Sequence, residues 1–430
     1  METPKLVRKV VVLACAAALL CPFGSRAQAP QALTWDEVRT RFIAGNPALK
    51  ADADNVDEMK AEEITAYLRP NPQFTGTVDG TSIAPEHGVY QPFKGTFFSP
   101  NFSYLHERDH KRELRLESAR EGTQITESQH EDLQRNMVFN LRSQFVAALQ
   151  AKFILNLAKA DLEYYDHIIA ISNDRLKAGD IAQIDFDRIE LQRVQYESEI
   201  ETAIVNLRTA KIQLLQLLND NHTPVDQFDV IGVFDFNESL DPLDTYQQAG
   251  LAARPDLAAA LETLQQSNTN HKLAVSNGST DPTYGAWYTW NSSNNNPDGL
   301  NTLGVSVSIP LRIFDKNQGE KKRTQIDIDR AQQASDTAKA QVFSDVDSAY
   351  EIVRSNIGLL KPYKAKYNDE ALRVRDTVSY AYMHGGASLM DFLNAQSEYR
   401  QVQLAYAQLI GAYLTAAAQL NLAVGREVMQ

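Results

Sequence analysis

Apolar residues in the middle of the chain recur at helical spacing over unusually long distances. Between Gly122 and Pro224 the only glycine or proline is Gly179, so the pattern predicts two very long helices meeting at one turn. On the first, Leu133, Met137, Leu141, Phe145, Leu149, Phe153 and Leu157 return every fourth residue. Its breaker-free stretch would reach roughly 80 Å as continuous helix. On the second, Ile200, Ile204, Leu207, Leu214 and Leu218 follow heptad-like steps, with Lys211 as the gap. A last helix carries Val402, Tyr406, Leu409, Tyr413, Ala416, Leu420 and Ala423. Narrow seams on helices this long cannot enclose a globular core. The helices must lie side by side, with one another or with other subunits.

Four shorter segments change period. Phe74, Gly76 and Val78 alternate with Thr75, Thr77 and Asp79; Phe98, Pro100, Phe102 and Tyr104 alternate with Ser99, Asn101 and Ser103. Later, Tyr284, Ala286, Tyr288 and Trp290 alternate with Gly285 and Thr289, and Leu303, Val305, Val307 and Ile309 with Gly304, Ser306 and Ser308. Polar, turn-rich loops join each pair, at Pro85 to Gly88 and at Asn291 to Gly299. Period-two patterning with aromatics on the apolar side is expected where one face meets lipid and the other water. Four strands cannot close a membrane barrel, whose practical minimum is about eight. Three chains would supply twelve, so membrane-embedded strands imply an obligate oligomer. Two soluble hairpins capping a coiled coil, in a periplasmic scaffold, are the alternative.

The pattern is stated twice, about 206 residues apart. Gly179 precedes Asp185-Phe186 as Gly385 precedes Asp391-Phe392, Asn46-Pro47-Ala48-Leu49 answers Arg254-Pro255-Asp256-Leu257, and Pro72-Gln73-Phe74 answers Pro282-Thr283-Tyr284. A duplicated architecture follows. The expected first repeat spans 30–218, with a hairpin over 73–105 and its helix turn at Gly179. A linker over 219–253, broken by Pro224, Gly232 and Pro242, precedes a second repeat over 254–430, with a hairpin over 282–311 and a turn at Gly385.

The first 29 residues read as a secretory signal: Lys5, Arg8 and Lys9, then an apolar run from Val10 to Leu20, then Ala27-Gln28-Ala29 as the cleavage site. Both cysteines, Cys15 and Cys21, lie in this leader, so the mature chain would have neither disulfides nor thiolate ligands. Bulky Leu20 before Cys21 argues against a lipid anchor. The net charge of −13, more acidic still once the basic leader is removed, makes nucleic acid a poor partner. Beyond the leader no run of about 18 consecutive apolar residues suggests a membrane helix.

One motif points to other chemistry. His106-Glu107-Arg108-Asp109-His110 is a literal H-E-x-x-H, which on a buried helix would bind zinc beside a general base. Here it follows directly on a strand and precedes a charge-dense helix start, so a polar junction is expected, with His110 answering Gly319 in the second half. His130 or Glu131 could be proposed as a third ligand, but nothing apolar surrounds either site; the remaining histidines show no ligand spacing, no nucleotide loop is present, and neither catalysis nor a cofactor is expected. At the two turns, glycine supplies the left-handed conformation that stops a helix, and the aspartate six residues on begins or caps the next one.

These residues together resemble the TolC-like outer-membrane factors, the exit ducts of tripartite efflux and type I secretion systems. The resemblance rests on Leu33-Thr34-Trp35-Asp36-Glu37 with Asn46-Pro47, on Arg254-Pro255-Asp256-Leu257, and on the two Gly-x5-Asp turns. Ser308 to Gly319 and Arg175 to Asp180 look most like the branch serving cobalt, zinc and cadmium efflux. The resemblance implies a mainly α protein with membrane β, a homotrimer whose twelve-stranded β-barrel continues into a twelve-helix α-barrel. It would sit in the outer membrane, in contact with lipid, with its tunnel in the periplasm. It would pair with a periplasmic adaptor and with an inner-membrane pump of resistance-nodulation-division or ABC type. Metal ions, drugs or secreted proteins would be its cargo, with heavy-metal cations favoured by the branch it resembles. By the same resemblance Asp391 lines the periplasmic aperture and Asp185 helps hold it shut, although Asn394 stands where a second acidic residue is common. Lys177, Gly179, Asp180, Gly385 and Gly386 would be the tips that meet the adaptor.

Overall fold

In a computed structural model the chain is described over residues 31–85, 87–291 and 301–429. The proposed leader with both cysteines, Glu86 of the first hairpin loop and most of the second loop lie outside the described residues. Short strands β1 (Gln31–Leu33) and β4 (Phe228–Val230) pair in parallel. The remaining strands, β2 (Gln73–Asp79), β3 (Phe97–Leu105), β5 (Thr283–Asn291) and β6 (Asn301–Ser308), form one antiparallel sheet in the order β2-β3-β5-β6. The helices are α1 (Trp35–Gly45), α2 (Pro47–Tyr67), α3 (Lys111–Ala178), α4 (Gln183–Leu217), α5 (Leu243–Ala253) and α6 (Pro255–Ser276). They continue with α7 (Gln318–Pro362), α8 (Asn368–Met383) and α9 (Leu389–Val424).

Register places Phe74 opposite Phe102, Phe102 opposite Ala286, and Ala286 opposite Val305. One face of the sheet is therefore apolar across all four strands. That face is uncovered: Phe74 and Phe102 are each 60% exposed and Val305 79%. The other face carries Thr75, Ser99, Thr289 and Ser306, with Ser99 and Thr289 hydroxyls 3.1 Å apart. Trp287 also lies there, packed on Gly304 so closely that an added Cβ would come within 2.3 Å of its ring.

Below the sheet the helices keep the strand order, α2-α3-α6-α7. Further down the order is α4-α3-α9-α8. At 68 residues α3 would extend about 100 Å. It runs through Gly122 because that glycine marks a close approach: a Cβ there would meet Gln266 at 3.0 Å and Met59 at 3.1 Å. The counterpart in the second half is interrupted, since Pro362 lacks an N–H and the five residues Tyr363–Tyr367 relax into a π-turn before α8.

Between α3 and α4 the buried seam runs through Ile189, Tyr196, Ala203 and Ala210, one residue per heptad, beside Phe186 and Leu214. Ile200, Ile204 and Leu207 only flank it. Lys211, the gap in the apolar run, reaches Asp229 of β4 at 3.1 Å, and Lys152 of α3 reaches the same carboxylate at 2.6 Å. The two ammonium groups outweigh burial and keep that carboxyl below its usual range. The linker is thus tied by charge to both helices of the first pair. Helix α9 is long and apolar enough to cross a membrane by length and composition, although polar residues such as Gln403, Gln408 and Gln419 interrupt it and no consecutive apolar run of that length occurs. Most of its apolar window is buried against other helices, as its alanine-rich seam in the core with Val346, Val353 and Leu360 explains.

Candidate functional site: the helix tips and the strand-to-helix junction

At the first tip, α3 ends where Gly179 adopts φ 81°, ψ 12°. Its N–H donates to Leu176 O at 3.0 Å and the Asp180 N–H to Arg175 O at 2.9 Å, closing the last carbonyls. At the second, Gly385 takes φ 78° and the Gly386 N–H donates to Ala381 O at 2.7 Å. No atom comes within 4 Å of a Cβ at either Gly179 or Gly385. Conformation, and not packing, therefore requires glycine at both. Lys177, Gly179, Asp180, Gly385 and Gly386 are all exposed, and Lys177 meets Asp174 at 3.2 Å.

The two aspartates, equivalent by sequence, differ in role. Asp391 sits three residues into α9, whose N-cap is Ser388. Its carboxylate accepts from the Ser388 hydroxyl at 2.7 Å and the Ser388 N–H at 3.1 Å, while its own N–H donates to that hydroxyl at 3.2 Å. The Ser388 hydroxyl and then its amide hold the Asp391 carboxyl below its ordinary range. Helix α4 instead begins behind Ala182, which has no side-chain oxygen. Asp185 is half-buried, and no hydrogen bond to its carboxylate is found among the described residues. Capping accounts for Asp391 and leaves Asp185 uncommitted.

Sequence reasoning passed over the residue that braces the two tips. Arg175 donates to Tyr382 O at 2.7 Å and stands 5.2 Å over the Tyr382 ring. Behind it, Tyr165 stacks on Tyr196 at 4.6 Å and Tyr382 on Phe392 at 5.0 Å. The available signal was the broken repeat: the second half has Ala381 where the first has Arg175. Higher in the same four-helix bundle, Asp161 has one carboxylate oxygen with no partner. Burial pushes its pKa up to about 6 against the pull of Arg400 and Arg375.

At the other end of the long helices the H-E-x-x-H segment is a turn. Asp109 and His110 both take left-handed conformations, φ 55° and 58°, and α3 starts only at Lys111. The two imidazoles therefore do not share a helix face. Glu107 is held by Arg115, which donates to it through both terminal nitrogens. Lys111, almost wholly buried, reaches Asp281 at 2.6 Å and Ser279 O at 3.1 Å. The Arg108 N–H donates to the same Asp281 at 2.9 Å, and Ser276 Oγ to Asp109 O at 2.5 Å. Among the described residues no group of three or more His, Cys, Asp or Glu is placed to hold a metal ion. The residue answering His110 is Asn317, not Gly319: both precede a long helix in the left-handed conformation, at φ 58° and 61°.

Residues 245–426 match the model of the outer membrane efflux protein family. Over 410 residues, 92% of this chain and 90% of the relative, the sequence is 22% identical to the cobalt-zinc-cadmium resistance protein CzcC of Cupriavidus metallidurans. Among solved structures, CusC matches with a TM-score of 0.75 at 18% identity, over 91% of this chain and 92% of that one. The MtrE outer membrane channel of Neisseria gonorrhoeae, in its open state, matches at 0.72 and 16%, over 92% and 89%. The CmeC outer membrane channel of Campylobacter jejuni gives 0.72 and 16%, over 92% and 87%.

Proposed function

We propose that this chain, whose residues 245–426 are an outer membrane efflux protein domain and whose fold is that of outer-membrane channels, is the exit duct of a tripartite efflux system. The observation that carries the reading is the matched order of strands and helices. Four strands present one exposed apolar face, four helices continue them in the same order, and both edges of each layer are open. Unpaired strand edges and an uncovered apolar face are costly in water and are satisfied by closure within lipid. The edge helices fit this. Leu191, Val194, Val205 and Ile212 of α4 and Ile352 and Leu359 of α7 are exposed, whereas inner helix α3 exposes no large apolar side chain.

Three copies, edge to edge, make a twelve-stranded barrel over a twelve-helix tunnel. The tunnel hangs into the periplasm, where the exposed tips at Gly179 and Gly385 meet an adaptor. The duct catalyses nothing and holds no cofactor; an inner-membrane pump supplies the energy. Asp391, fixed by its capping box, sits at the narrow mouth, and Asp185 belongs to the contacts that hold the mouth closed. Heavy-metal cations are the cargo class supported by similarity to the cobalt-zinc-cadmium resistance protein and by the chain's acidity.

Fractionation and planar-bilayer recording test this together. The mature chain should be recovered from outer membranes as a detergent-soluble trimer that forms discrete channels. Recovery from the soluble periplasmic fraction as a detergent-free monomer would sink it in favour of a coiled-coil scaffold. Association with a protein-exporting ATPase, rather than a resistance pump, would redirect the cargo to secreted proteins.

A further inference from the structure

We infer that the segment after β6, Ile309 to Phe314, is an apolar clasp that closes over the α2–β2 connector of a neighbouring copy at the base of the barrel. The inference rests on the closed-ring reading, and its argument comes from the duplication. Within one chain, β3 of the first repeat pairs with β5 of the second. Closing the ring must pair β6 with the next copy's β2, which are the corresponding strands of the opposite repeats.

The equivalence fixes a register. Gln73 pairs with Ser103 and Thr283 with Ser308, so Ser103 corresponds to Ser308 where Gln73 corresponds to Thr283. The Ser103–Gly285 and Phe102–Ala286 pairs inside the chain then become Ser308–Thr75 and Val307–Gly76 between copies. Just beyond the strands, the His106 N–H donates to Pro282 O at 2.9 Å. Its counterpart in this register is the Leu311 N–H, which has no partner among the described residues and in the closed ring would donate to the next copy's Pro72 O.

The chemistry of the two junctions differs. Inside the chain the contact between connectors is ionic, through Lys111 and Asp281. At the open edges the positions answering Lys111 and Asp281 are the uncharged Gln318 and Asn71, and exposed apolar side chains stand beside them on both sides. Leu311 is 80% and Phe314 90% exposed after β6, and Ile64 is 69% and Leu68 62% exposed before β2. Because α2 and α7 are edge helices just as β2 and β6 are edge strands, both connectors sit at one level on opposite edges. Closure brings the two patches together. Burying apolar surface drives association without demanding the exact geometry of a buried ion pair.

Thiol cross-linking tests this, since the only cysteines, Cys15 and Cys21, fall in the proposed leader. Ser308→Cys with Thr75→Cys reports ring closure, and Ile313→Cys with Leu68→Cys, joined by a short bis-maleimide, reports the clasp. Both pairs should give ladders of two and three copies. A ladder from the strand pair without one from the clasp pair overturns the clasp while leaving the ring intact. Failure of both overturns the ring and the clasp with it. Phe314→Trp should resist quenching by brominated lipid in vesicles; strong quenching would assign the patch to the membrane and refute the clasp.

Discussion

Replacing Asp281 should loosen the joint between the sheet and the helices more than any surface ion-pair change. Its carboxylate is the partner of a nearly buried ammonium, Lys111, whose side chain is 4% exposed, and it also accepts from the Arg108 amide. In Asp281→Ala the ammonium keeps only Ser279 O at 3.1 Å. Removing one member of a buried pair costs about 3–5 kcal/mol, because an uncompensated charge stays behind. With Asp281 itself partly accessible, about 3 kcal/mol is expected. The double variant Lys111→Met, Asp281→Leu removes both charges and should fall within about 1 kcal/mol of the parent. Trp287 and Trp290 lie in β5, which starts two residues after Asp281, so tryptophan emission of the detergent-solubilised protein against denaturant, in a Trp35→Phe background, reads the joint. A single variant within about 0.5 kcal/mol of the parent, or a double variant as damaged as the single, would refute the reasoning.

Other outcomes follow from the bundle and its tips. Asp391→Asn should reduce cation selectivity and block by multivalent cations in planar bilayers, since charge in a constriction acts on ions directly. If only thermal stability falls, Asp391 is a cap and the aperture lies elsewhere. Asp185→Ala, which loses no cap, should instead raise open probability with little change in selectivity; unchanged gating would remove it from the closure. For Asp161, whose folded pKa is raised to about 6, the ionised form is penalised above that pH. The protein should therefore gain stability as pH falls from 7 toward 4, and Asp161→Asn should flatten the profile; parallel melting curves for the two would contradict this. Gly179→Ala forces a Cβ into φ 81° and should cost about 1 kcal/mol by denaturant midpoint despite the open space around it. No change there would mean the turn relaxes.

Periodicity and punctuation alone made the long helices, the four strands, the two glycine turns and the duplication legible. These depend on local spacing, and local spacing is written in the chain. The α3–α4 seam was legible only in outline: spacing picked Ile200 and Leu207, while the buried line passes through the small Ala203 and Ala210. Small residues let helices approach closely but carry little hydropathy. Gly122 looked like a breaker and is a packing contact, because only the partners Gln266 and Met59 show how near the neighbouring helices come. The capping oxygen that separates Asp391 from Asp185 lies at the N-cap, Ser388 against Ala182, and its effect needs the helix start to be placed to the residue. Arg175 on Tyr382, Lys111 on Asp281 and Lys211 on Asp229 join residues far apart in the chain. No local pattern specifies such partners, which are chosen only when the folded backbone sets one charge within hydrogen-bond reach of the other.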